Sequence, residues 1–230
     1  MQSGLNIKTK RDLSLLRWVF AGLIVFVILI IGWFGYRWYV AGEQPPVVPV
    51  PVSAMADSTI DESVVTQDQI DQYTVPSTHP RYISIPDLGI TNSRVKAVGL
   101  TATKNLDTPK NLSDTAWYEK SALPGTGAGA VVINGHNGGI TRDGVFANLN
   151  TLKQGAAIIV ERGDGKKFTY KVVENKTVSL QEANETGMQK MMQPVQDDKE
   201  SLSLITCAGN WVPRDKVFDK RILLRAVAID

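Results

Sequence analysis

The chain has 230 residues, enough for one domain of ordinary size with additional sequence, and its 43% hydrophobic and 21% charged residues are typical of a packed globular core. The net charge of +2 is unevenly distributed, because five of the 25 basic residues lie in the first 37 positions, where Asp12 is the only acid. The rest of the chain holds 20 basic and 22 acidic residues, so it lacks the concentrated basic face that nucleic-acid binding requires.

An uncharged apolar segment runs from Trp18 to Tyr36, between Arg17 and Arg37. Its 19 residues would form a helix of roughly 28 Å, close to the thickness of a bilayer core. Aromatic residues collect at its C-terminal end as in an interfacial belt, and the basic residues before it favour a cytoplasmic N-terminus. We therefore predict an uncleaved, single-pass signal-anchor in the cell membrane, with the C-terminal bulk of the chain outside the cell.

Two other interpretations of this apolar segment are open. One is a cleaved secretory signal, since Tyr39-Val40-Ala41 lies just beyond the segment, although the apolar run is long for a signal peptide and lacks a clean small-x-small site. The other is a buried core helix, which would need the polar face that this segment lacks.

The remaining sequence divides into a linker and one folded domain. We predict a cytoplasmic basic tail over 1–17, a transmembrane helix over 18–36, a linker over 37–78 and a catalytic domain over 79–230. The linker begins with the proline-rich run EQPPVVPVPV and becomes polar and acidic, so we interpret it as a passive spacer. A short helix around Asp61–Gln72 is a further possibility within it.

Short apolar runs separated by turn residues follow His79, and many of these runs are rich in β-branched residues. Strands are predicted at Arg81–Ile85, Val95–Val98, Ala130–Asn134, Ala157–Glu161, Phe168–Asn175, Leu202–Thr206 and Arg221–Ile229. Short helices are predicted at Phe146–Leu152 and at Glu182–Met192, the second of which is stopped by Pro194. Several short strands with few helices indicate an all-β barrel or sandwich.

Cys207 is the only cysteine, which excludes an internal disulfide and a CxxC metal or redox motif. In a cytosolic protein such a residue is usually a small buried hydrophobic side chain. In an exported domain a free thiol risks oxidation and mispairing, and chains that keep a single one often use it. Cys207 is therefore a candidate nucleophile.

Two other residues share the setting of Cys207, which ends the run SLSLIT before an expected AGN turn. His136 ends the run VVINGH, and Arg221 starts the last predicted strand. A nucleophilic thiol needs a proton acceptor or a cation, and an arginine can stabilise an oxyanion. The three side chains could converge on one rim of a barrel, although His136 taken alone also fits a turn histidine bonded to the backbone. His79, the other histidine, is interpreted as a surface residue.

Five motifs in this order resemble those of the sortase family, from about Pro80 to Ile229. They are RYISIPDLGI with VKAVGL, WYEKSALPGTGAGAVVINGH, VFANLNTLKQGAAIIVE, LSLITCAG and DKRILLRAVA. The resemblance implies a closed eight-stranded β-barrel with short helices. It also implies a transpeptidase that cleaves an LPxTG-like sorting signal in surface proteins and transfers the protein to an amine acceptor.

The resemblance assigns a role to each site residue. Cys207 would attack the carbonyl between Thr and Gly of the sorting signal and form a thioacyl intermediate. His136 would act as the general acid for the leaving amine and then as the base for the incoming one, and Arg221 would hold the substrate backbone and stabilise the oxyanion. Thr206 would assist in that same region. The acceptor would be an amine of a peptidoglycan precursor or, in some classes, a pilin lysine, and the chemistry requires no cofactor.

Departures from the family pattern bear on details of the site. Ala156 stands where the family often has Asp, which changes a surface turn. Arg214 and Arg225 are alternatives to Arg221, which is favoured by its position where DKR enters the strand. No metal site is predicted, since the loop acids are interpreted as solvated charges: Asp143, Glu174, Glu182 and Glu185.

The class of sortase is predicted from what the upstream segment lacks. It contains no Asp-Pro-aromatic triad of the kind that forms a lid in the pilin-polymerising class C, so a class A-like or class F-like enzyme is favoured. Two alternatives to transfer remain: a cysteine peptidase that hydrolyses the same intermediate, and a catalytically silent tethered barrel that binds peptides.

Overall fold

The N-terminal helix α1 extends from Lys10 to Ala41 in the computed structural model, which describes residues 10–46 and 59–229. Nothing in this segment breaks a helix before Gly42, whose positive φ of 69° and bond from its N–H to the Trp38 carbonyl (2.9 Å) end α1. The stretch Leu15–Ala41 is long and apolar enough to cross a membrane. The predicted tail up to residue 9, the linker residues 47–58 and Asp230 lie outside the described residues.

Eight strands close into a barrel, as predicted, in the order β1-β2-β3-β4-β7-β8-β6-β5. Two neighbouring pairs are parallel, β2 with β3 and β4 with β7, and the other pairs are antiparallel. The strands are β1 (Pro80–Ile85), β2 (Ile90–Val98), β3 (Thr115–Tyr118), β4 (Ala130–Gly135), β5 (Ala157–Arg162), β6 (Lys167–Ser179), β7 (Ser201–Val212) and β8 (Val217–Ala228). The sequence prediction missed β3, because TAWY is too short to show an alternating pattern.

Alternation along the strands separates an inner core from an outer face. Leu202, Leu204, Ile222 and Leu224 point into the barrel and belong to the main core. On the outer face of β4, β7 and β8 lies a second apolar cluster, here called the outer cluster, formed by Val132, Met191, Ile205 and Leu223. The barrel wall beneath the outer cluster is therefore packed on both sides.

The helical connections are short. A helical segment between β6 and β7 contains α3 (Leu180–Glu182), a π-helical turn (Ala183–Gly187) and α4 (Met188–Met191), and 3₁₀ turns occur at Pro86–Leu88 and Leu149–Thr151. The helix predicted at Glu182–Met192 is thus confirmed in position, while the one at Phe146–Leu152 is reduced to a 3₁₀ turn.

The part of the linker that the structure describes lies on the barrel. Helix α2 (Gln67–Asp71) begins at a capping box in which Thr66 and Gln69 bond each other's backbone N–H groups. Just before it, Asp61 forms a parallel bridge with Asn111. The passive-spacer interpretation is therefore wrong for residues 61–73, because their polar side chains and backbone are paired with the domain.

Two predicted strand limits near Cys207 are also wrong. Strand β7 continues past Cys207 to Val212, and β8 begins at Val217 rather than at Arg221. The run Ala-Gly-Asn is a bulge inside the β7–β8 ladder, in which Gly209 has a φ of 80° and the Asn210 N–H donates to Asp219 Oδ1 at 2.7 Å. Cys207 and Arg221 therefore lie within paired strands and not at their ends.

A buried carboxylate ties three elements together at the other end of the barrel. Glu200, 3% exposed, accepts hydrogen bonds from the N–H groups of Gly125 (3.0 Å) and Gly127 (2.9 Å) and from the hydroxyl of Tyr170. Burial and the neighbouring Glu200 raise the pKa of Tyr170, so its hydroxyl stays a donor. These bonds leave few groups of this region without partners.

We expect Glu200→Ala to lower the free energy of unfolding by about 2–4 kcal/mol, because the buried Tyr170 hydroxyl and the N–H groups of Gly125 and Gly127 lose their acceptor. Urea denaturation of the purified full chain measures the change. Glu119→Ala is the matched control, since the Glu119 side chain is 50% exposed and its ion pair with Lys120 is long, at 3.8 Å, and it should change stability by less than about 0.5 kcal/mol. Equal midpoints for Glu200→Ala and wild type would contradict the expectation.

Candidate active site

Three neighbouring strands place the predicted site residues on the outer face of the barrel. Cys207 on β7 lies directly opposite Arg221 on β8 in the antiparallel ladder. On the other side of β7, strand β4 pairs in parallel as far as Asn134 with Ile205. His136 directly follows β4, and continuing this register by two residues beyond Asn134 would bring it level with Cys207.

Alternation confirms that these residues share one face. Thr206 is buried inside, while Cys207, with Ile205 before it, faces outward. Arg221 shares the outward side of β8 with Leu223 of the outer cluster. Cys207 and Arg221 are thus neighbours on the outer face next to the outer cluster, and His136 follows the strand that pairs with the other side of β7.

The thiol of Cys207 is half-buried and pairs with no other cysteine. Burial raises the pKa of Cys207, and the positive charge of Arg221 partly offsets this increase. Within the described residues, no hydrogen bond reaches its sulfur. Cys207 is therefore mostly a neutral thiol at neutral pH, and its ionisation depends on Arg221.

His136 is held by a backbone carbonyl. Its Nε2 lies 2.6 Å from the oxygen of Pro109. Because a carbonyl can only accept, Nε2 carries the hydrogen, and Nδ1 is the nitrogen left to exchange a proton. The backbone oxygen of His136 accepts from the Phe146 N–H at 2.9 Å, which fixes the end of β4. The predicted possibility of a histidine bonded to the backbone is thus confirmed.

The guanidinium of Arg221 is oriented by its own strand. Nη1 donates to the carbonyls of Phe218 (3.0 Å) and Lys220 (2.8 Å). These two bonds do not involve Nη2 or Nε of the guanidinium. The two alternative arginines lie elsewhere. Arg214 is exposed in the β7–β8 turn beside Asp215, and Arg225 is buried four residues further along β8, where it donates to Gln193.

Thr206 faces the interior, and its hydroxyl donates to the carbonyl of Gly135 at 2.8 Å. This bond joins the residue before Cys207 to the residue before His136. The contact that the structure shows is therefore one between β4 and β7. The predicted role of Thr206 in the oxyanion region stays a prediction.

Sequence reasoning missed the groups that surround His136. Asn134 lies two residues before it on the same face, is 6% exposed and donates from Nδ2 to the Asp107 carbonyl at 2.8 Å. The alternation of side chains along the strand, counted back from His136, could have identified Asn134. The Pro109 carbonyl could not have been found, because a backbone acceptor leaves no trace in side-chain identity.

The loop acids that the sequence analysis interprets as solvated charges form no metal-binding cluster in the part of the chain that the structure describes. Among the residues that the structure describes, no group of three or more acidic, histidine or cysteine side chains could hold a metal ion. Glu174 is instead paired with Lys176 (2.7 Å) and Lys190 (2.8 Å), which lower its pKa.

The rate at which iodoacetamide alkylates Cys207 should increase as pH rises from 7 through the ordinary cysteine range, because the raised pKa leaves little thiolate at neutral pH. Arg221→Ala removes the charge that favours the thiolate, so its pKa should rise further and its rate at a fixed pH should fall. Lys220→Ala is the control, since Lys220 is exposed and lies next to Arg221 in β8. A rate plateau already reached at pH 7, or equal profiles for Arg221→Ala and wild type, would contradict this.

The barrel carries a cysteine and an arginine on neighbouring strands and a histidine directly after a third strand, which are residue types that suit acyl transfer through a cysteine. The family model "Sortase domain" matches residues 83–229, most of the chain. The chain therefore belongs to the sortase family. Sortases are cysteine transpeptidases that anchor surface proteins carrying sorting signals to the cell wall, and the protein is an enzyme of this type.

Solved structures share the fold. Sortase C-1 from Actinomyces oris is 20% identical, with a TM-score of 0.50, 71% of this chain covered and 80% of the other. Sortase C2 of Group B Streptococcus Pilus Island 1 is 22% identical, with a TM-score of 0.50 and coverages of 76% and 88%. No curated protein matches the chain. At these identities the likeness concerns the fold, so the expected class A-like or class F-like assignment stays a prediction.

Proposed function

We propose that Cys207, His136 and Arg221 are the catalytic residues with which this sortase cleaves an LPxTG-like sorting signal and transfers the acyl group to an amine. The observation that carries the proposal is the register of three strands. The pairing of Cys207 with Arg221, and the position of His136 directly after the strand on the other side of β7, support the proposal.

The proposed first half-reaction uses all three side chains. Sγ of Cys207 attacks the carbonyl carbon between Thr and Gly, and its proton passes to Nδ1 of His136. Arg221 stabilises the oxyanion that develops, in the region where Thr206 is also expected to assist. The C–N bond then breaks, the leaving amine takes the proton from His136, and a thioester remains on Cys207.

The second half-reaction reverses the roles. An incoming amine gives its proton to His136 as it attacks the thioester, and the C–S bond breaks to restore the thiol. The proposed acceptor is an amine of a peptidoglycan precursor. No cofactor enters either step, since acid–base exchange and the thioester balance the reaction.

The outer cluster is an apolar surface that could bind the apolar part of the sorting signal. Its buried floor is bordered by partly buried side chains that would contact an apolar residue of an extended peptide. These bordering residues are Leu106, Tyr118, Val178 and Met188. We propose that this apolar surface fixes the peptide so that its scissile carbonyl lies over Cys207.

Helix α1 supports the proposed location. It could anchor the enzyme in the cell membrane as a single pass, with the N-terminus cytoplasmic and the barrel extracellular. We retain the proposed limits of 1–17 for the tail, 18–36 for the membrane span, 37–78 for the linker and 79–230 for the catalytic domain.

Incubating the full chain in detergent with an LPxTG-like peptide and an amine tests the function. Transfer product should form in excess over hydrolysis product when the amine is present, and Cys207→Ala should form neither. Hydrolysis product in equal amounts with and without the amine would favour a peptidase. Peptide binding without any product would favour a silent barrel.

A further inference from the structure

The segment Asp61–Ser63, which precedes the barrel in the chain, is bonded to the residues that follow Pro109. The Asp61 N–H donates to the Lys110 carbonyl, and the Leu112 N–H donates to the Asp61 carbonyl, both at 2.9 Å. The Asn111 side chain adds bonds to Asp61 Oδ2 (2.9 Å) and to the Ser63 carbonyl (3.0 Å). Two backbone and two side-chain bonds thus fix Asp61–Ser63 beside the segment that contains Pro109.

The same segment, Asp61–Ser63, also accepts hydrogen bonds from the loop that follows His136. The carboxylate of Glu62 accepts from the Ile140 N–H (2.5 Å), from the Thr141 N–H (2.9 Å) and from the Thr141 hydroxyl. A carboxylate that accepts several N–H and O–H bonds is favoured in its charged form, and these bonds lower the pKa of Glu62.

Arg142 closes this contact from the other side. Its guanidinium donates to the carbonyls of Glu62 (2.8 Å) and Ser63 (2.9 Å) and to the hydroxyl of Ser113 (3.0 Å). One side chain in the loop after His136 therefore bonds both the N-terminal segment and the segment after Pro109. Gly139 permits the close approach, since a Cβ there would overlap the Glu62 carboxylate.

Both anchored segments contact or include His136. The first contains Pro109, whose carbonyl accepts a hydrogen bond from His136 Nε2 at 2.6 Å. The second begins at His136 itself and returns through the Val145 N–H to the Leu112 carbonyl at 3.0 Å. The imidazole is thus bounded by two loops that Asp61–Ser63 connects, although this segment lies 73 or more residues away in the sequence.

We infer that Glu62 is a positioning residue for His136, acting by holding the 139–142 loop against the segment that contains Pro109. This inference rests on the proposed role of His136 as the acid and base. Glu62 touches no reacting atom, so it should affect the rate of proton transfer rather than the binding of the sorting signal. A misplacement of the acid–base group by about 1 Å can lower a rate by up to about 10²-fold.

The experiment compares Glu62→Gln with wild type in the full chain. Gln keeps the shape but has an N–H₂ group in place of one carboxylate oxygen, so the bonds that Thr141 donates to that oxygen should be lost and the loop contact weakened. We expect kcat for transpeptidation to fall about tenfold, with KM changed less than about twofold. Thr141→Val removes one of the three bonds and should give a smaller decrease in kcat. Glu119→Gln, a charge-matched change on the surface, should leave kcat unchanged.

An NMR measurement separates positioning from simple stabilisation. The chain has two histidines, so ¹³C-labelled imidazole rings give two resonances, which His79→Gln assigns. Glu62→Gln should shift the His136 resonance and leave that of His79 unchanged. A purely structural role would lower the melting temperature without moving the His136 resonance.

The outcomes distinguish the two levels of the inference. If His136→Ala keeps wild-type turnover, the proposed catalytic role of His136 is wrong. If His136→Ala is inactive but Glu62→Gln keeps the wild-type kcat and His136 resonance, only the positioning role of Glu62 is overturned. Loss of folding in Glu62→Gln, with wild-type kcat and His136 resonance in Thr141→Val, would overturn it as well.

Discussion

Replacing Cys207 by alanine is expected to lower cleavage and transfer of an LPxTG-like peptide by at least about 10³-fold, because no other group in the site can form the thioester. The substitution should leave the fold intact, since Cys207 is half-buried on the outer face and its backbone pairing with Arg221 does not depend on the side chain. Peptide cleavage and transfer are followed by liquid chromatography, and the melting temperature is measured on the same samples.

Cys207→Ser provides the matched control for packing. Serine retains nearly the same volume, but its hydroxyl ionises far less readily than a thiol in the same setting. We expect Cys207→Ser to be as inactive as Cys207→Ala. Substantial turnover by the alanine variant would show that Cys207 is not the nucleophile.

His136→Ala should lower transpeptidation by about 10²- to 10⁴-fold, the range in which a positioned acid–base group contributes. The thiol should survive the change. At a pH above the raised pKa of Cys207, iodoacetamide should therefore alkylate the variant at nearly the wild-type rate, while peptide turnover stays low. The two assays together separate loss of proton transfer from loss of the nucleophile.

The second histidine offers the control for this prediction. His79 packs its ring against Trp117 at a centroid distance of 5.1 Å, just before β1. His79→Ala should keep wild-type turnover, apart from a small effect on stability. Equal losses of turnover in His79→Ala and His136→Ala would mean that neither loss reports on catalysis.

Much of the barrel could be predicted from local sequence. Runs such as Ala130–Asn134 and Ala157–Glu161 are apolar, β-branched and bounded by turn residues, and both are strands within a residue of the predicted limits. Strand limits near the site failed for a physical reason. Ala-Gly-Asn suits a turn and a bulge equally well, and only the pairing of β7 with β8 decides between them.

The candidate site was predictable in its residues but not in its surroundings. Cys207, His136 and Arg221 are chemically distinctive, and each follows or lies within an apolar run. The contacts that orient His136 come from the Pro109 carbonyl and from Glu62, which are distant in sequence and have no local pattern. An acidic residue in a polar linker looks like a solvated charge until the fold brings donors to it.

The proposed function requires that a thioester forms on Cys207. Intact-mass spectrometry tests this intermediate most directly. The full chain is incubated with an LPxTG-like peptide without an amine, and the reaction is quenched in acid. The intact mass of the protein is then measured, and the modified residue is located by proteolysis. We expect a mass increase equal to the acyl portion of the peptide, located on Cys207, released by hydroxylamine and absent from Cys207→Ala. Peptide cleavage with no adduct on Cys207, or with the adduct on another residue, would contradict it.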